Sequence, residues 1–228
     1  MILKEIKIIK IFEIKQKKRS LLNLKILNKI LLKIVFYIEK KFLKEKLNKF
    51  KLVNYTLKKY AYKKIFPIRT KYVDRFNYAD TKMIKKLDPD VILNFTDRII
   101  KGKILNTAKY GMWGFHYSDT NFERGGLGGF YEIVEKKNFS GVTLQRYNES
   151  VDGGGIINMK HYKTLKYFAI NHLNLLSKTS LIFQESIQKL LLKKLNIITS
   201  PICGKIYAHP PSILNIIKYI LITLLIKR

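Results

Sequence analysis

The distribution of glycine along the chain constrains its fold more than any other feature of the sequence. None of the first 101 residues is glycine, whereas eleven of the twelve glycines lie between Gly102 and Gly155. A glycine-rich phosphate loop after an early strand is therefore excluded. The densest stretch, "WGFHYSDTNFERGGLGGF" at 113–130, also places a histidine among aromatic residues. We therefore expect the functional residues in the central part of the chain.

The two ends of the chain predict helices. Residues 1–50 lack glycine and proline, and their apolar residues recur at helical spacing, which predicts a basic extension of one or two amphipathic helices. Residues 201–228 predict an apolar C-terminal helix. Asn215 and Lys218 interrupt its apolar run, and about 20 uninterrupted residues are needed to span a bilayer. A buried or amphipathic helix is the favoured interpretation, with peripheral membrane contact as the alternative.

The middle of the chain, residues 51–200, predicts an α/β domain. Short apolar runs typical of buried strands alternate with helical segments. We predict a mostly parallel sheet with covering helices. Asp80 or Thr81 is expected to cap a short helix that Pro89 ends. The predicted strands are "DVILNF" (90–95), "MWGFH" (112–116), "GVTLQRYN" (141–148) and "IINMKHYKT" (156–164), and a longer helix is predicted over 165–195.

Composition limits the classes of partner. The net charge is +29, but 38 of the 45 basic residues are lysine, and Lys, Ile, Asn, Leu and Tyr are abundant throughout. A coding bias toward A and T explains this pattern better than a phosphate-binding surface, which favours arginine. We therefore do not predict a nucleic-acid partner, although a basic RNA- or membrane-associated protein stays as an alternative. The single cysteine, Cys203, fits a reducing compartment, and we expect a cytoplasmic protein.

Two residues in the glycine-rich centre are candidates for chemistry. His116 ends a predicted buried strand, and Asp152 opens the turn "DGGGII". Ligands of open α/β sheets bind at the carboxyl ends of strands, so we predict that these side chains converge in one cleft, within about 8 Å. Simpler interpretations stay open: His116 as a structural histidine, Asp152 as a turn former and Arg124 as half of an ion pair. His161, His172 and His209 lack ligand spacing, and no metal site is predicted.

Several short motifs in the centre of the chain, taken in their order, resemble the folate-dependent formyltransferase family. Between Leu87 and Ile157 the chain contains Asp90, "GFHYS", "RGG", "GVT" and "DGGGII". The form "GFHYSD…RGG…GFYE…LQ…VDGG" is similar to a less characterised branch found near surface-glycan enzymes. The resemblance covers about 70 residues. It implies a formyltransferase-like, Rossmann-type fold.

The resemblance also implies an activity: formyl transfer from 10-formyltetrahydrofolate to a small-molecule or sugar-linked amine. By position, His116 would face the oxyanion, and Asp152 would hold the histidine and assist proton transfer. A methionyl-tRNA substrate is not expected, because the chain leaves no room for a separate tRNA-binding domain. The residues expected to bind the formyl donor are Arg124, Gly125, Gly126, Gly153 and Gly154.

The chain departs from the family pattern at one important position. The family's asparagine, a donor to the oxyanion, falls on Gly114, while Tyr117 replaces a proline and Ser118 matches a serine. Losing such a donor costs on the order of 100-fold in rate. We therefore expect folate binding without fast transfer, and a higher rate in Gly114→Asn. The alternative function is a catalytically impaired, formyltransferase-like binding protein.

Overall fold

The structure is a computed structural model that describes residues 10–14, 25–48, 62–65, 67–69, 73–96, 98–199, 203–208 and 210–225. Its strands are β1 (Ile11–Ile14), β2 (Tyr62–Ile65), β3 (Ile68–Arg69), β4 (Val73–Arg75), β5 (Ile92–Asn94), β6 (Ile99–Lys101), β7 (Met112–His116), β8 (Glu123–Arg124), β9 (Phe139–Arg146), β10 (Gly155–Lys163) and β11 (Lys205–Ile206). Its α-helices are α1 (Lys25–Phe42), α2 (Lys44–Asn48), α3 (Tyr78–Lys85), α4 (Tyr131–Val134), α5 (Phe168–Leu191) and α6 (Ile213–Leu225). The predicted α/β class is confirmed.

The central sheet has four strands in the order β10-β9-β7-β5. β5 and β7 run parallel, but β9 is antiparallel to both β7 and β10. The prediction of a mostly parallel sheet is therefore wrong, and the sheet is mixed. The reason lies in the connection between β9 and β10, which spans only residues 147–154. A turn this short joins antiparallel strands, whereas parallel neighbours need a crossover of a dozen or more residues.

The register of this sheet gathers polar residues on one face. Asn94 of β5 is paired with Gly114 of β7, which is paired in turn with Gln145 of β9; His116 lies opposite Thr143. Because side chains alternate along a strand, these five positions share one face of the sheet. β5 and β7 are parallel, so Asn94 and His116 both lie at the carboxyl edge. This edge is where the sequence predicted the functional site.

The opposite face of the sheet carries the main apolar core. Trp113 and Leu144 are fully buried there against Leu175 and Ile182 of α5. The Trp113 indole N–H donates to the Tyr110 carbonyl at 2.9 Å, so its polar atom is also satisfied. Each buried aliphatic side chain of this kind contributes about 1.5–3 kcal/mol of transfer free energy. The core therefore holds one face of the strands rigidly while the other face is left to the polar residues.

The terminal helices close over the beginning of α5. The Tyr219 hydroxyl of α6 donates to the Glu39 carboxylate of α1 and accepts the Phe168 N–H at 2.8 Å. The Ala169 N–H donates to the other Glu39 oxygen at 3.1 Å, and burial raises the pKa of Glu39. Helices α1, α2 and α6 lie in the predicted terminal segments, but Ile11–Ile14 form the strand β1 where only helix was predicted. The division into segments 1–50, 51–200 and 201–228 stays a prediction. Among the described helices, none is long and apolar enough to cross a membrane.

The short helix before β5 begins earlier than predicted. Asn77, rather than Asp80 or Thr81, is the N-cap of α3, and its side chain accepts the Asp80 N–H at 2.7 Å. Asparagine and aspartate cap helices about equally well, so composition alone did not separate these positions. Between β6 and β7, the chain forms a single 3₁₀ turn at Lys103–Asn106.

Candidate active site

His116 is buried at the carboxyl end of β7, between two carboxylates. Its Nδ1 lies 3.5 Å from Asp152 Oδ2, and its Nε2 lies 3.2 Å from Glu123 Oε2. Nε2 also lies 2.9 Å from the Glu123 carbonyl oxygen. The predicted convergence of His116 and Asp152 is confirmed. Glu123 was not predicted, because an acid beside "RGG" carries no sequence signal of its own.

The two carboxylates keep His116 protonated. Burial alone would lower the pKa of the imidazole, but the charges of Asp152 and Glu123 outweigh it and raise the pKa to about 9. At neutral pH both ring nitrogens therefore carry hydrogens. The Nε2 hydrogen is held by the Glu123 carbonyl, whereas the Nδ1–Asp152 distance is long for a hydrogen bond. Nδ1 is consequently the nitrogen that can donate to a ligand.

The positive charge of His116 makes the stability of the fold depend on pH. Because folding raises the pKa of His116 from 6.5 to about 9, the ion pairing contributes fully to the free energy of unfolding below pH 6.5. The stabilisation is lost as pH rises through 9. We expect the free energy of unfolding of the native chain, relative to His116→Gln, to fall by about 3 kcal/mol between pH 6 and pH 9.5. Urea unfolding at a series of pH values measures this difference.

The surface histidine His161 provides the control for this titration. Its Nε2 lies 2.8 Å from Asp119 Oδ2 in an exposed pair, so His161→Gln should keep the pH dependence of the native chain. The same dependence in His116→Gln as in the native protein would contradict a protonated His116.

Asp152, in the turn between β9 and β10, is held in place by two hydrogen bonds. Its Oδ2 accepts the Gly125 N–H at 2.8 Å, and its Oδ1 accepts the Gln145 side-chain N–H at 2.8 Å. Its φ of +43° is rare for a residue with a side chain and is tolerated only where neighbours fix it. The turn-forming interpretation and the site interpretation of Asp152 therefore both hold.

Arg124 ties the Asp152 turn to β8. Its Nε and Nη2 donate to the Val151 carbonyl oxygen at 2.9 and 2.6 Å, so its guanidinium binds a carbonyl. With the Gly125–Asp152 hydrogen bond, this contact fixes the turn next to His116. Binding of the formyl donor by Arg124 stays a prediction.

The predicted cofactor-binding glycines permit loops of this chain to pack on each other. A Cβ atom added to Gly126, Gly153 or Gly154 would lie within 3 Å of other protein atoms. Gly125 has a φ of +69°, a conformation that glycine adopts without strain. The glycines thus close the wall of the site, and direct contact with a cofactor stays a prediction for them.

The "GVT" motif fixes the segment that follows His116. A Cβ atom at Gly141 would lie 2.7 Å from Asp119 Cα and 2.7 Å from the Ser118 carbonyl carbon. The Thr143 hydroxyl donates to the Ser118 carbonyl at 2.8 Å. The backbone after β7 therefore rests directly on β9, which requires glycine at position 141.

A second buried carboxylate lies behind this segment. The Ser118 hydroxyl donates to Glu132 Oε1 at 2.6 Å, while Glu132 Oε2 has no partner among the described residues. Burial raises the pKa of Glu132 to about 7. Ser118 matched the family serine in the sequence, and its structural partner, Glu132, was not predicted.

The space beside Gly114 is filled by Tyr147. A Cβ atom at position 114 would lie 2.9 Å from Tyr147 Cε1 and closer still to its hydroxyl. The Asn94 side-chain N–H donates to that hydroxyl at 3.5 Å. Gly114→Asn alone would therefore push Tyr147 away, so the expectation that this substitution simply adds a donor does not hold in the native chain.

The remaining candidates lie outside this cluster. His172 Nδ1 donates to the Gly128 carbonyl at 3.1 Å, and burial lowers its pKa. His209 lies outside the described residues, and Cys203 is exposed. Within the described ranges, no group of three or more His, Cys, Asp or Glu residues is arranged to hold a metal ion.

Comparison with known proteins gives the class of fold. A sugar N-formyltransferase from a Shewanella species is 14% identical, with a TM-score of 0.52 over 84% of this chain and 83% of that one. A formyltransferase from Anoxybacillus kamchatkensis, in complex with UDP-4,6-dideoxy-4-formamido-L-AltNAc and tetrahydrofolate, is 18% identical. Its TM-score is 0.50 over 73% of this chain and 80% of that one. The chain therefore has the formyltransferase fold.

The sequence comparison agrees with the fold. The chain is 35% identical over 80 residues to methionyl-tRNA formyltransferase of Bacillus licheniformis. This match covers 35% of the chain but only 25% of that relative. No family model matches the chain. The resemblance predicted from the motifs is confirmed: the chain is similar in fold, and over 80 residues in sequence, to members of the formyltransferase family.

Proposed function

We propose that the chain transfers a formyl group from 10-formyltetrahydrofolate to the amine of a sugar, in the manner of a sugar N-formyltransferase. The observation that carries this proposal is the buried, protonated His116 held between Asp152 and Glu123 at the carboxyl edge of β5 and β7. The similar Anoxybacillus protein, in complex with tetrahydrofolate and a formamido sugar nucleotide, supports the choice of donor and acceptor class.

The side chains of the site suit this reaction. When bound, 10-formyltetrahydrofolate supplies a formyl carbon for attack by the amine, and the formyl oxygen then gains negative charge. His116 donates a hydrogen bond from Nδ1 to that oxygen, where a preorganised donor contributes about 10²–10³ in rate. Asp152 accepts the proton that the attacking amine loses, and it would return this proton to the folate nitrogen when the bond between that nitrogen and the formyl carbon breaks, so that tetrahydrofolate leaves. Glu123 keeps the imidazole oriented and charged throughout.

A buried acceptor beside this pair fits a ligand that carries N–H groups. Gln145 donates its side-chain N–H to Asp152, which leaves Gln145 Oε1 buried without a partner among the described residues. An unsatisfied buried acceptor costs about 1–3 kcal/mol. An amine or a pterin N–H bound here would recover that free energy.

The test is an acceptor panel with the purified full chain. 10-Formyltetrahydrofolate is mixed with UDP- and dTDP-linked amino sugars, and both formylated sugar and released tetrahydrofolate are measured. We expect transfer to at least one amino sugar and none to methionyl-tRNA. Asp152→Asn, which keeps the size of the side chain, should lower the rate by about 100-fold or more because it removes the proton acceptor.

The alternative function, a folate-binding protein without turnover, makes a different prediction in the same assay. Such a protein binds 10-formyltetrahydrofolate and tetrahydrofolate but forms no product with any acceptor. Binding by calorimetry, measured beside transfer, separates the two functions.

A further inference from the structure

A tyrosine hydroxyl occupies the space beside Gly114, on the face of the sheet that carries His116. Tyr147 directly follows β9, and its backbone N–H donates to the Met112 carbonyl at 2.8 Å. Tyr147 therefore lies opposite Met112 in the continuing ladder, and its ring covers Gly114. Only a glycine at position 114 leaves room for this ring.

The hydrogen-bond pattern around Asn94 leaves the Tyr147 hydrogen unused. Asn94 Oδ1 accepts the Thr96 N–H at 3.1 Å and the Thr96 hydroxyl at 2.9 Å, which turns Nδ2 toward Tyr147. Asn94 Nδ2 then makes a long hydrogen bond of 3.5 Å to the Tyr147 oxygen. The Tyr147 side chain is half-buried, and its hydroxyl hydrogen is left without an acceptor among the described residues.

We propose that the Tyr147 hydroxyl is a catalytic donor to the formyl oxygen and acts together with His116. This inference rests on the proposed formyltransferase function and deepens it. The hydroxyl supplies the second donor from the residue after β9, since Gly114 of β7 has no side chain to supply one. Asn94 is the positioning residue that orients the hydroxyl.

The acidity of Tyr147 suits a donor that keeps its proton. Burial raises the pKa of Tyr147 to about 12, although the Asn94 hydrogen bond lowers it. The hydroxyl therefore stays neutral while it stabilises the charge that develops on the formyl oxygen. No proton is transferred from it, so the reaction stays balanced with Asp152 as the only proton acceptor. Removing one donor of this kind costs on the order of 100-fold in rate.

A purely structural role is the competing interpretation, because the Tyr147 ring also packs against the apolar cluster that contains Met112 and Ile92. Tyr147→Phe separates the two roles, since it keeps the ring and removes only the hydroxyl. Tyr162→Phe is the matched control. Tyr162 is half-buried on β10, and Lys178 lies over its ring.

The experiment compares the full-length native chain, Tyr147→Phe and Tyr162→Phe. For Tyr147→Phe we expect kcat for formyl transfer to an amino sugar to fall about 100-fold with an unchanged melting temperature. A second measurement needs no turnover: the dissociation constants of 10-formyltetrahydrofolate and tetrahydrofolate without an acceptor amine. Loss of a hydrogen bond to the formyl group should weaken only the formylated compound, by about fivefold. Tyr162→Phe should match the native chain in both measurements.

A double substitution tests the replacement directly. Tyr147→Ala vacates the space beside position 114. The double variant Tyr147→Ala with Gly114→Asn should transfer formyl groups at least about tenfold faster than Tyr147→Ala alone, because the asparagine supplies an amide donor. A Tyr147→Phe chain with native kcat and native binding preference overturns this inference and leaves the formyltransferase function standing. A native chain that binds 10-formyltetrahydrofolate without transferring its formyl group also overturns it. A folded native chain that neither binds nor transfers overturns both.

Discussion

Replacing His116 by alanine is expected to lower formyl transfer by about a thousandfold, because it removes both a charged donor and the partner of Asp152. The binding of tetrahydrofolate should change by less than about threefold, since the effect falls on the transition state. Rates with saturating 10-formyltetrahydrofolate and calorimetric binding of tetrahydrofolate measure the two quantities.

This substitution leaves Asp152 and Glu123 without their positive partner, so folding needs its own control. His116→Gln keeps a side chain of similar length that can donate a hydrogen bond to Glu123, and we expect a well-folded chain with a comparable loss of rate. His161→Ala removes the exposed histidine that pairs with Asp119 and should retain the native rate. Transfer by both His116 variants within tenfold of the native rate would show that another group does the chemistry.

The largest structural effect is expected for Gly141→Ala. The added methyl group would overlap the backbone of Ser118 and Asp119, and a backbone cannot move aside as a flexible side chain can. We expect a loss of about 3 kcal/mol or more in the free energy of unfolding. Formyl transfer should be lost in the folded fraction as well, because the displaced segment begins directly after His116. Urea unfolding and transfer rates at matched folded fractions measure both effects.

Gly102→Ala is the comparison for this prediction. Gly102 has a φ of +95°, but a Cβ atom there meets nothing closer than 3.8 Å. Its substitution should cost only the conformational strain, about 1–3 kcal/mol, and should leave the transfer rate of the folded fraction unchanged. An equal loss of transfer in the folded fraction of both alanine variants would be inconsistent with a specific displacement of the segment after His116.

Local patterns predicted the elements on which the site is built. "MWGFH" is a compact buried run, and it forms β7 at the predicted residues 112–116. The position of His116 at a strand end and of Asp152 in a glycine turn was enough to predict their convergence. The direction of β9 and β10 was missed, although the short turn at 147–154 was visible in the sequence and already implied an antiparallel pair.

The remaining members of the site depend on contacts between distant parts of the chain. Tyr147 is 33 positions from Gly114, and only the register between β7 and β9 brings them together. Asn94 reaches the same face through the pairing of β5 with β7. Glu123 contacts His116 because the loop after β7 folds back over the sheet. Neither spacing nor composition encodes such contacts.

The most direct test of the central claim is formyl transfer by the native chain, measured together with its affinity for 10-formyltetrahydrofolate. The presence of His116 and Tyr147 on one face of the sheet, with Asp152 beside His116, predicts saturable binding and steady formation of a formylated amino sugar. A folded native chain that binds neither 10-formyltetrahydrofolate nor tetrahydrofolate, and that formylates no amine, would contradict the account.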